Sequence, residues 1–215
     1  MRNSVRQSYD QLAIAYAQRL YGELVHKPFD RHMLNWLIER TPANSLICDL
    51  GCGPGQVARY LHDQGAKACG IDLSSGMIAQ ASALSPMIDF QTGDMTNLEN
   101  VADSSYGGIA AFYSIVHLPP EQLPAAFNEF WRVLLQDGTL LLTFHVGDEV
   151  RHFDTLWDMP VDLNFIFFRT NAIVDLLTAA GLKVTEVIER WPYPESVEVQ
   201  TRRAYIFATK SSEPS

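Results

Sequence analysis

The stretch Leu46-Ile47-Cys48-Asp49-Leu50-Gly51-Cys52-Gly53-Pro54-Gly55 decides the fold of this chain. An apolar run ends on a carboxylate and enters a turn with glycine at every second position. Glycine has no Cβ, so such a turn can take positive φ and lie against a ligand without steric penalty. The run before the turn reads as a buried strand, and Gln56-Val57-Ala58-Arg59-Tyr60-Leu61 after it reads as a helix. Strand, glycine turn and helix in that order seat a nucleotide-like ligand at the carboxyl edge of an α/β sheet. A dinucleotide fingerprint spaces its glycines G-x-G-x-x-G. Here they fall G-x-G-x-G, position 56 is Gln, and Asp49 stands two places before the first glycine.

Outward from this turn the chain alternates between two periodicities. Residues 3–20 carry Val5, Leu12, Ile14, Tyr16 and Leu20 at helical spacing, and Lys27–Arg40 forms a second helical pattern with Pro28 in its first turn. Strands are predicted at 46–50, 66–71, 88–92, 109–113 and 139–144, with helices at 55–64, from Ser75 onward and at 120–134. Alternation of this kind implies a parallel sheet with right-handed crossovers. The stretch 146–168 departs from it, rich in Asp and aromatics: Trp157, Phe165, Phe167 and Phe168. A helix at 171–180 closes on Gly181, and strands at 182–188 and 204–208 finish the fold without a helix between them. That suggests a hairpin, hence an antiparallel last strand. The tail Ser211–Ser215 reads as frayed.

The chain has 215 residues, 47% of them hydrophobic and 19% charged, the balance of one soluble globular domain. A net charge of −9 with no Lys/Arg-rich run argues against nucleic acid as substrate. The first residues lack a signal-peptide core and no apolar run reaches membrane-spanning length, so a cytoplasmic location is expected, with no membrane partner. Cys48, Cys52 and Cys69 make an odd count and have no ligand set with zinc spacing. They read as small buried residues, and no metal site is expected.

Further motifs follow the glycine turn in order. Gly70-Ile71-Asp72-Leu73-Ser74 places Asp72 at the end of the second strand, 21 residues after Gly51, where a carboxylate accepts both hydroxyls of a ribose. Gly93-Asp94-Met95 follows the third strand, and Ala111-Phe112-Tyr113-Ser114-Ile115-Val116-His117 follows the fourth. Singly, each has a plainer explanation: Asp49 orients its own turn, Asp72 caps the next helix, Asp94 makes a turn beside Gly93. Together, at the ends of four successive strands, they line one crevice.

The series resembles the motifs of the class I S-adenosylmethionine-dependent methyltransferases, from Tyr9 to Thr209. That resemblance implies a Rossmann-like α/β fold: a seven-stranded, mostly parallel sheet, last strand antiparallel, helices on both faces, and an N-terminal helical lid over residues 1–42. It implies S-adenosylmethionine as cofactor, with S-adenosylhomocysteine left after transfer. Gly51, Cys52 and Gly53 would face the methionine part and Asp49 would help hold its ammonium. Asp72 would take the ribose, with Leu73 and Met77 beside it. Asp94 would accept from the adenine amino group and Met95 would pack on the ring, while Phe112 and Tyr113 flank the sulfonium. Tyr9 or Tyr16, in a Tyr9-Asp10-Gln11-Leu12-Ala13-Ile14-Ala15-Tyr16 segment similar to that of many small-molecule members, would reach over the methionine end. One departure is Gln136-Asp137-Gly138, where the family carries Pro-Gly-Gly; it does not touch the site.

Residues 146–168 stand where such enzymes carry a substrate-binding insertion, so the expected acceptor is a small molecule, apolar or aromatic. A neutral imidazole suits proton removal near pH 7, which makes His117 and His145 the candidate catalytic residues, with His152 also near the expected mouth. Many relatives need no base. Three other readings stay open: a nicotinamide enzyme, disfavoured by the glycine spacing and by Asp49; a non-catalytic cofactor-binding regulatory module; and a methyltransferase acting on a protein.

Overall fold

The computed structural model describes residues 2–211. The frayed-tail expectation therefore falls, from residue 212 on, outside the described residues. In chain order the elements are α1 (Arg2–Leu20), a 3-10 turn (Glu23–His26), α2 (Pro28–Arg40), β1 (Leu46–Leu50), α3 (Gln56–Asp63), β2 (Lys67–Asp72), α4 (Ser75–Leu84) and β3 (Asp89–Thr92). The second half holds β4 (Tyr106–Phe112), α5 (Leu123–Val133), β5 (Leu134–His145), β6 (Val150–Leu156), β7 (Met159–Ile166), α6 (Thr170–Ala179), β8 (Leu182–Arg190) and β9 (Arg203–Lys210).

Seven strands form one sheet in the order β3-β2-β1-β4-β5-β9-β8. The pairings from β3 to β5 are parallel, and β9 enters antiparallel between β5 and β8. Helices pack both faces. Phe127 and Phe130 of α5 and Ile173 and Leu177 of α6 cover Ile109, Leu140 and Leu142 on one side. Leu34 and Leu37 of α2 with Val57 and Leu61 of α3 cover Ile47, Leu141 and Phe207 on the other. The strand order reverses between β1 and β4, and a crevice opens at their carboxyl ends, the position at which open α/β sheets bind ligands.

Several boundaries moved from expectation for identifiable reasons. β4 begins at Tyr106 rather than 109, taking Gly107 and Gly108 into the sheet. A Cβ on Gly107 would collide with Ser45, and one on Gly108 would stand 2.6 Å from Thr41 Oγ1, so glycine here permits close packing. The stretch 146–168 is a two-stranded antiparallel hairpin, β6–β7, separate from the main sheet. Its turn is Trp157-Asp158, both at positive φ (53° and 63°), a conformation usually signalled by Asn-Gly, so the hairpin carried no turn signature. In α1 the buried face is Ser8, Leu12, Ala13 and Ala17, while Ile14 is 62% exposed. Small residues let the helix lie close against α4 and β7, the elements it contacts most.

Candidate functional site

A cavity of about 320 Å³ sits at the carboxyl edge of β1, β2, β4 and β5, beneath α1. All fourteen residues anticipated for the site line it, from Tyr16 and Asp49 to His117 and His145. His152 does not; it projects from the exposed hairpin, Nδ1 against Asn164 Oδ1 at 2.9 Å.

The glycine turn forms the floor at one end. Gly51, Gly53 and Gly55 have φ of 76°, 53° and 87°. A Cβ on Gly51 would overlap Ser114 Cβ, whereas one on Gly53 would meet nothing closer than 3.9 Å. Gly51 and Cys52 donate their N–H groups to Ile71 O at 2.7 and 3.1 Å, tying the turn to β2. Asp72 closes this frame: Oδ2 accepts from Gly53 N–H and Oδ1 from Ser74 N–H, each at 2.8 Å. Burial raises its pKa, and the two backbone donors oppose the rise. Asp49 is 1% exposed and accepts from Ala58 N–H at 3.1 Å. Burial pushes its pKa to about 8, against that hydrogen bond and with help from the Asp72 charge. Asp94 Oδ1 accepts from Thr96 N–H and Oγ1–H at 2.9 and 2.8 Å, and Met95 Cε lies above Gly51. Leu73 and Met77 complete the wall beside Asp72, and Phe112 the wall beyond β4.

This end fits a nucleoside with a cationic tail. Three carboxylates in one low-dielectric cleft favour positive charge. The open face over Gly53 leaves room for a ligand against the backbone. Two buried cavity-lining oxygens, Gln56 Oε1 and Ser114 Oγ, have no hydrogen-bond partner, an expensive state that a bound polar group would relieve. Neither was anticipated, although both stand inside motifs quoted from the sequence.

The family model for the methyltransferase domain matches residues 47–138, the span holding the glycine turn and all three carboxylates. That match supports a class I S-adenosylmethionine-dependent methyltransferase. A malonyl-[acyl-carrier protein] O-methyltransferase of Pseudescherichia vulneris is 36% identical over 151 residues, 70% of this chain and 54% of that protein. The chain spans about half the length of the curated relatives it matches. Burkholderia thailandensis 1,6-didemethyltoxoflavin-N1-methyltransferase, solved with its namesake and S-adenosylhomocysteine, shares the fold at a TM-score of 0.76 and 16% identity, over 98% of this chain and 88% of that one. Magnesium protoporphyrin IX methyltransferase from Synechocystis, solved with S-adenosylmethionine, aligns at 0.73 and 18%, over 98% and 97%.

What distinguishes this chain lies above and beyond the glycine turn. α1 is latched across the site at two points. Asp10 Oδ1 accepts from Gly76 N–H at 2.8 Å and from Ser74 Oγ–H at 2.6 Å, on the first turn of α4. Tyr9 O–H donates to His117 Nε2 at 2.7 Å, and His117 Nδ1–H donates to the Asn164 carbonyl at 2.7 Å. A carbonyl only accepts, which fixes this tautomer. Both ring nitrogens are thus occupied, and burial lowers the His117 pKa to about 4, so the ring is neutral. It joins α1 to β7. Tyr16 packs edge-on against Trp157 at the hairpin tip, 5.8 Å between centroids.

His145, at the end of β5, lies between the rings of Tyr113 and Phe167, with centroids at 5.1 and 5.3 Å. Its Nδ1 is 2.8 Å from Thr201 Oγ1. Burial first, then the Arg203 charge, lowers its pKa to about 3. Tyr113 holds φ of 49°, a strained state for a large side chain and one that concentrates at functional sites. Behind it Tyr113 OH meets Tyr205 OH at 3.1 Å, and Tyr205 O–H donates to buried Asp30 at 3.1 Å. Arg190 reaches Asp30 at 3.1 Å and Glu198 at 2.6 Å. Lys27, Asp30, Glu198 and Arg203, none anticipated, line this second end. Among the described residues no group of three or more His, Cys, Asp or Glu is placed to hold a metal, and no helix is long and apolar enough to cross a membrane.

Proposed function

We propose that this chain is an S-adenosylmethionine-dependent methyltransferase that moves a methyl group to a small-molecule acceptor by in-line displacement. The observation that carries this is the cavity itself: one end built of glycine backbone and three carboxylates, continuous with an aromatic end walled by Phe112, Tyr113, His145 and Phe165. The bound cofactor supplies an electrophilic methyl on a sulfonium. The protein positions and shields. Asp49 balances the ammonium, Asp72 holds the ribose, and Asp94 with Met95 takes the base. Gln56 and Ser114 supply the oxygens that lack partners.

Residues 1–42 and the 146–168 hairpin act as two lids of one domain, excluding water from the acceptor end. Tyr16, Trp157 and Phe165 support an apolar or aromatic acceptor. His117, with both nitrogens engaged, positions the lids; His145 faces the acceptor. We place the activity in the cytoplasm, which three free buried cysteines suit. Calorimetric titration of the protein with S-adenosylhomocysteine and with NAD tests the reading. Binding of the first, lost in Asp72→Ala, supports it; binding of NAD alone overturns it. Tight binding without turnover on any of a panel of phenols, carboxylic acids and amines would favour a cofactor-binding module.

A further inference from the structure

The two ends of the cavity differ in their charged groups. Asp49, Asp72 and Asp94 stand at the glycine turn, while the cationic residues lining the cavity, Lys27 and Arg203, gather near His145. The charge acting most strongly on His145 is the Arg203 guanidinium, which Glu198 partly opposes. Of the other acids lining the cavity, Asp30 faces Arg190 and Tyr205, and Glu23 pairs with Lys27 at 2.5 Å.

Arg203 has an unusual remainder. It is 3% exposed, and Nη1 accounts for its structural bonds: to the carbonyls of Val199 and Thr201 at 3.0 and 2.8 Å and to Glu198 Oε1 at 3.2 Å. Its Nε–H is buried without a partner. Leaving such a donor unmade is costly, and more so when it is charged. A purely structural arginine would have no reason to carry that cost beside a cavity. The guanidinium also lies 5.6 Å from the Tyr113 ring, the side chain between the two ends.

We infer that Arg203 forms an acceptor subsite for an anionic oxygen, a carboxylate, enolate or phenolate carried on an apolar body. The subsite rests on the methyl-donor reading of the opposite end. It narrows the acceptor from apolar to apolar with one anionic oxygen, and it disfavours amines, which the guanidinium repels.

The probe is 4-nitrophenol, whose phenolate is yellow, titrated into protein saturated with S-adenosylhomocysteine at a pH equal to the probe's own pKa. Arg203 is expected to draw the bound probe into its phenolate form, so the yellow band grows on binding. The neutral methyl ether, 4-nitroanisole, should bind about ten-fold more weakly. Benzoate should compete, which separates carboxylate from phenolate recognition, and benzylamine should not. In Arg203→Gln, checked for cooperative melting, the extra ionisation should vanish. Equal affinity for phenol and ether, a bound probe that stays protonated, or ionisation that survives in Arg203→Gln overturns the subsite. If the variant fails to fold, the wild-type comparison of phenol with ether decides alone. Failure of S-adenosylhomocysteine to bind would instead sink the donor reading, and phenolate binding without it would leave the subsite standing.

Discussion

The two ends of the cavity are built by different means. The donor end is made of main chain: positive-φ glycines, strand-end carbonyls and carboxylates that accept backbone N–H groups within twenty residues of themselves. The acceptor end is made of side chains drawn from distant parts of the chain. Asp30 meets Tyr205, Phe29 N–H meets Tyr193 OH, and His117 meets Tyr9 and Asn164. A frame of backbone tolerates almost no change but suits any protein needing the same ligand. A frame of side chains can be exchanged one residue at a time, which lets one scaffold serve many acceptors.

The comparison breaks most sharply at Gly51. Gly51→Ala places a Cβ on Ser114 at a φ of 76°, and the backbone strain alone is worth about 1–3 kcal/mol. S-adenosylhomocysteine affinity should fall about 100-fold, equivalent to roughly 2.7 kcal/mol. Gly22→Ala meets open space and should leave both affinity and melting near wild type. Calorimetry and urea titration of both variants decide it. Equal effects would mean that the turn is not a backbone cradle.

Asp49 tests the charge of the same end. With a pKa pushed to about 8 by burial, it carries a proton near neutrality in the cofactor-free protein. An ammonium seated beside it favours the charged carboxylate, so binding should release up to one proton at pH 7. Titrations in two buffers of different ionisation enthalpy read this directly, and Asp49→Asn should release none. The folded-state pKa lies above the unfolded carboxylate value, so free protein should lose stability as pH rises from about 4 to 8. Bound cofactor should flatten that loss.

The same contrast explains what was legible in the sequence. Asp49, Asp72, Asp94 and the three glycines stand at strand ends, so period and turn chemistry located them before any coordinate. The mostly parallel sheet followed from alternation, and its antiparallel last strand from the missing helix before β9. The aromatic stretch 146–168 and His145 marked part of the acceptor end, but its charged groups Arg190, Glu198 and Arg203 gave no local signal of a shared site. Nothing near Asp30 announces that Tyr205 will reach it. Ile14 was misplaced because helical spacing marks apolar stripes, and α1 packs instead through Ser8, Ala13 and Ala17.

The histidines sharpen the comparison on the lid side. His117 and His145 are held neutral, with pKa values lowered to about 4 and about 3 by burial. Their contribution to stability is fully present above about pH 6.5 and is lost as pH falls toward those values. Melting should therefore weaken on acidification by on the order of 1 kcal/mol per imidazole per pH unit. This slope is opposite to that of Asp49, and the Asp49→Asn variant should show it undiluted. His117→Gln should reduce it while loosening the α1–β7 latch. If acid sensitivity is the same in wild type and in both His117→Gln and His145→Gln, the rings are not held neutral by burial.

The smallest effect is expected at the hairpin tip. Trp157→Gly removes the edge contact with Tyr16 and the stacking of Arg19, whose guanidinium lies 5.0 Å from the ring. Those contacts are worth about 0.5–1.5 and 0.5–1 kcal/mol. Glycine also relieves a positive φ, which costs an L-residue roughly 1–2 kcal/mol. The terms nearly cancel, so stability should change by under about 1 kcal/mol. What should change is kinetic. With the hairpin released from α1, S-adenosylhomocysteine should dissociate several-fold faster in stopped-flow while its contacts with the glycine turn remain. An unchanged off-rate would make the hairpin a wall of the acceptor end alone, and α1 the sole lid over the donor.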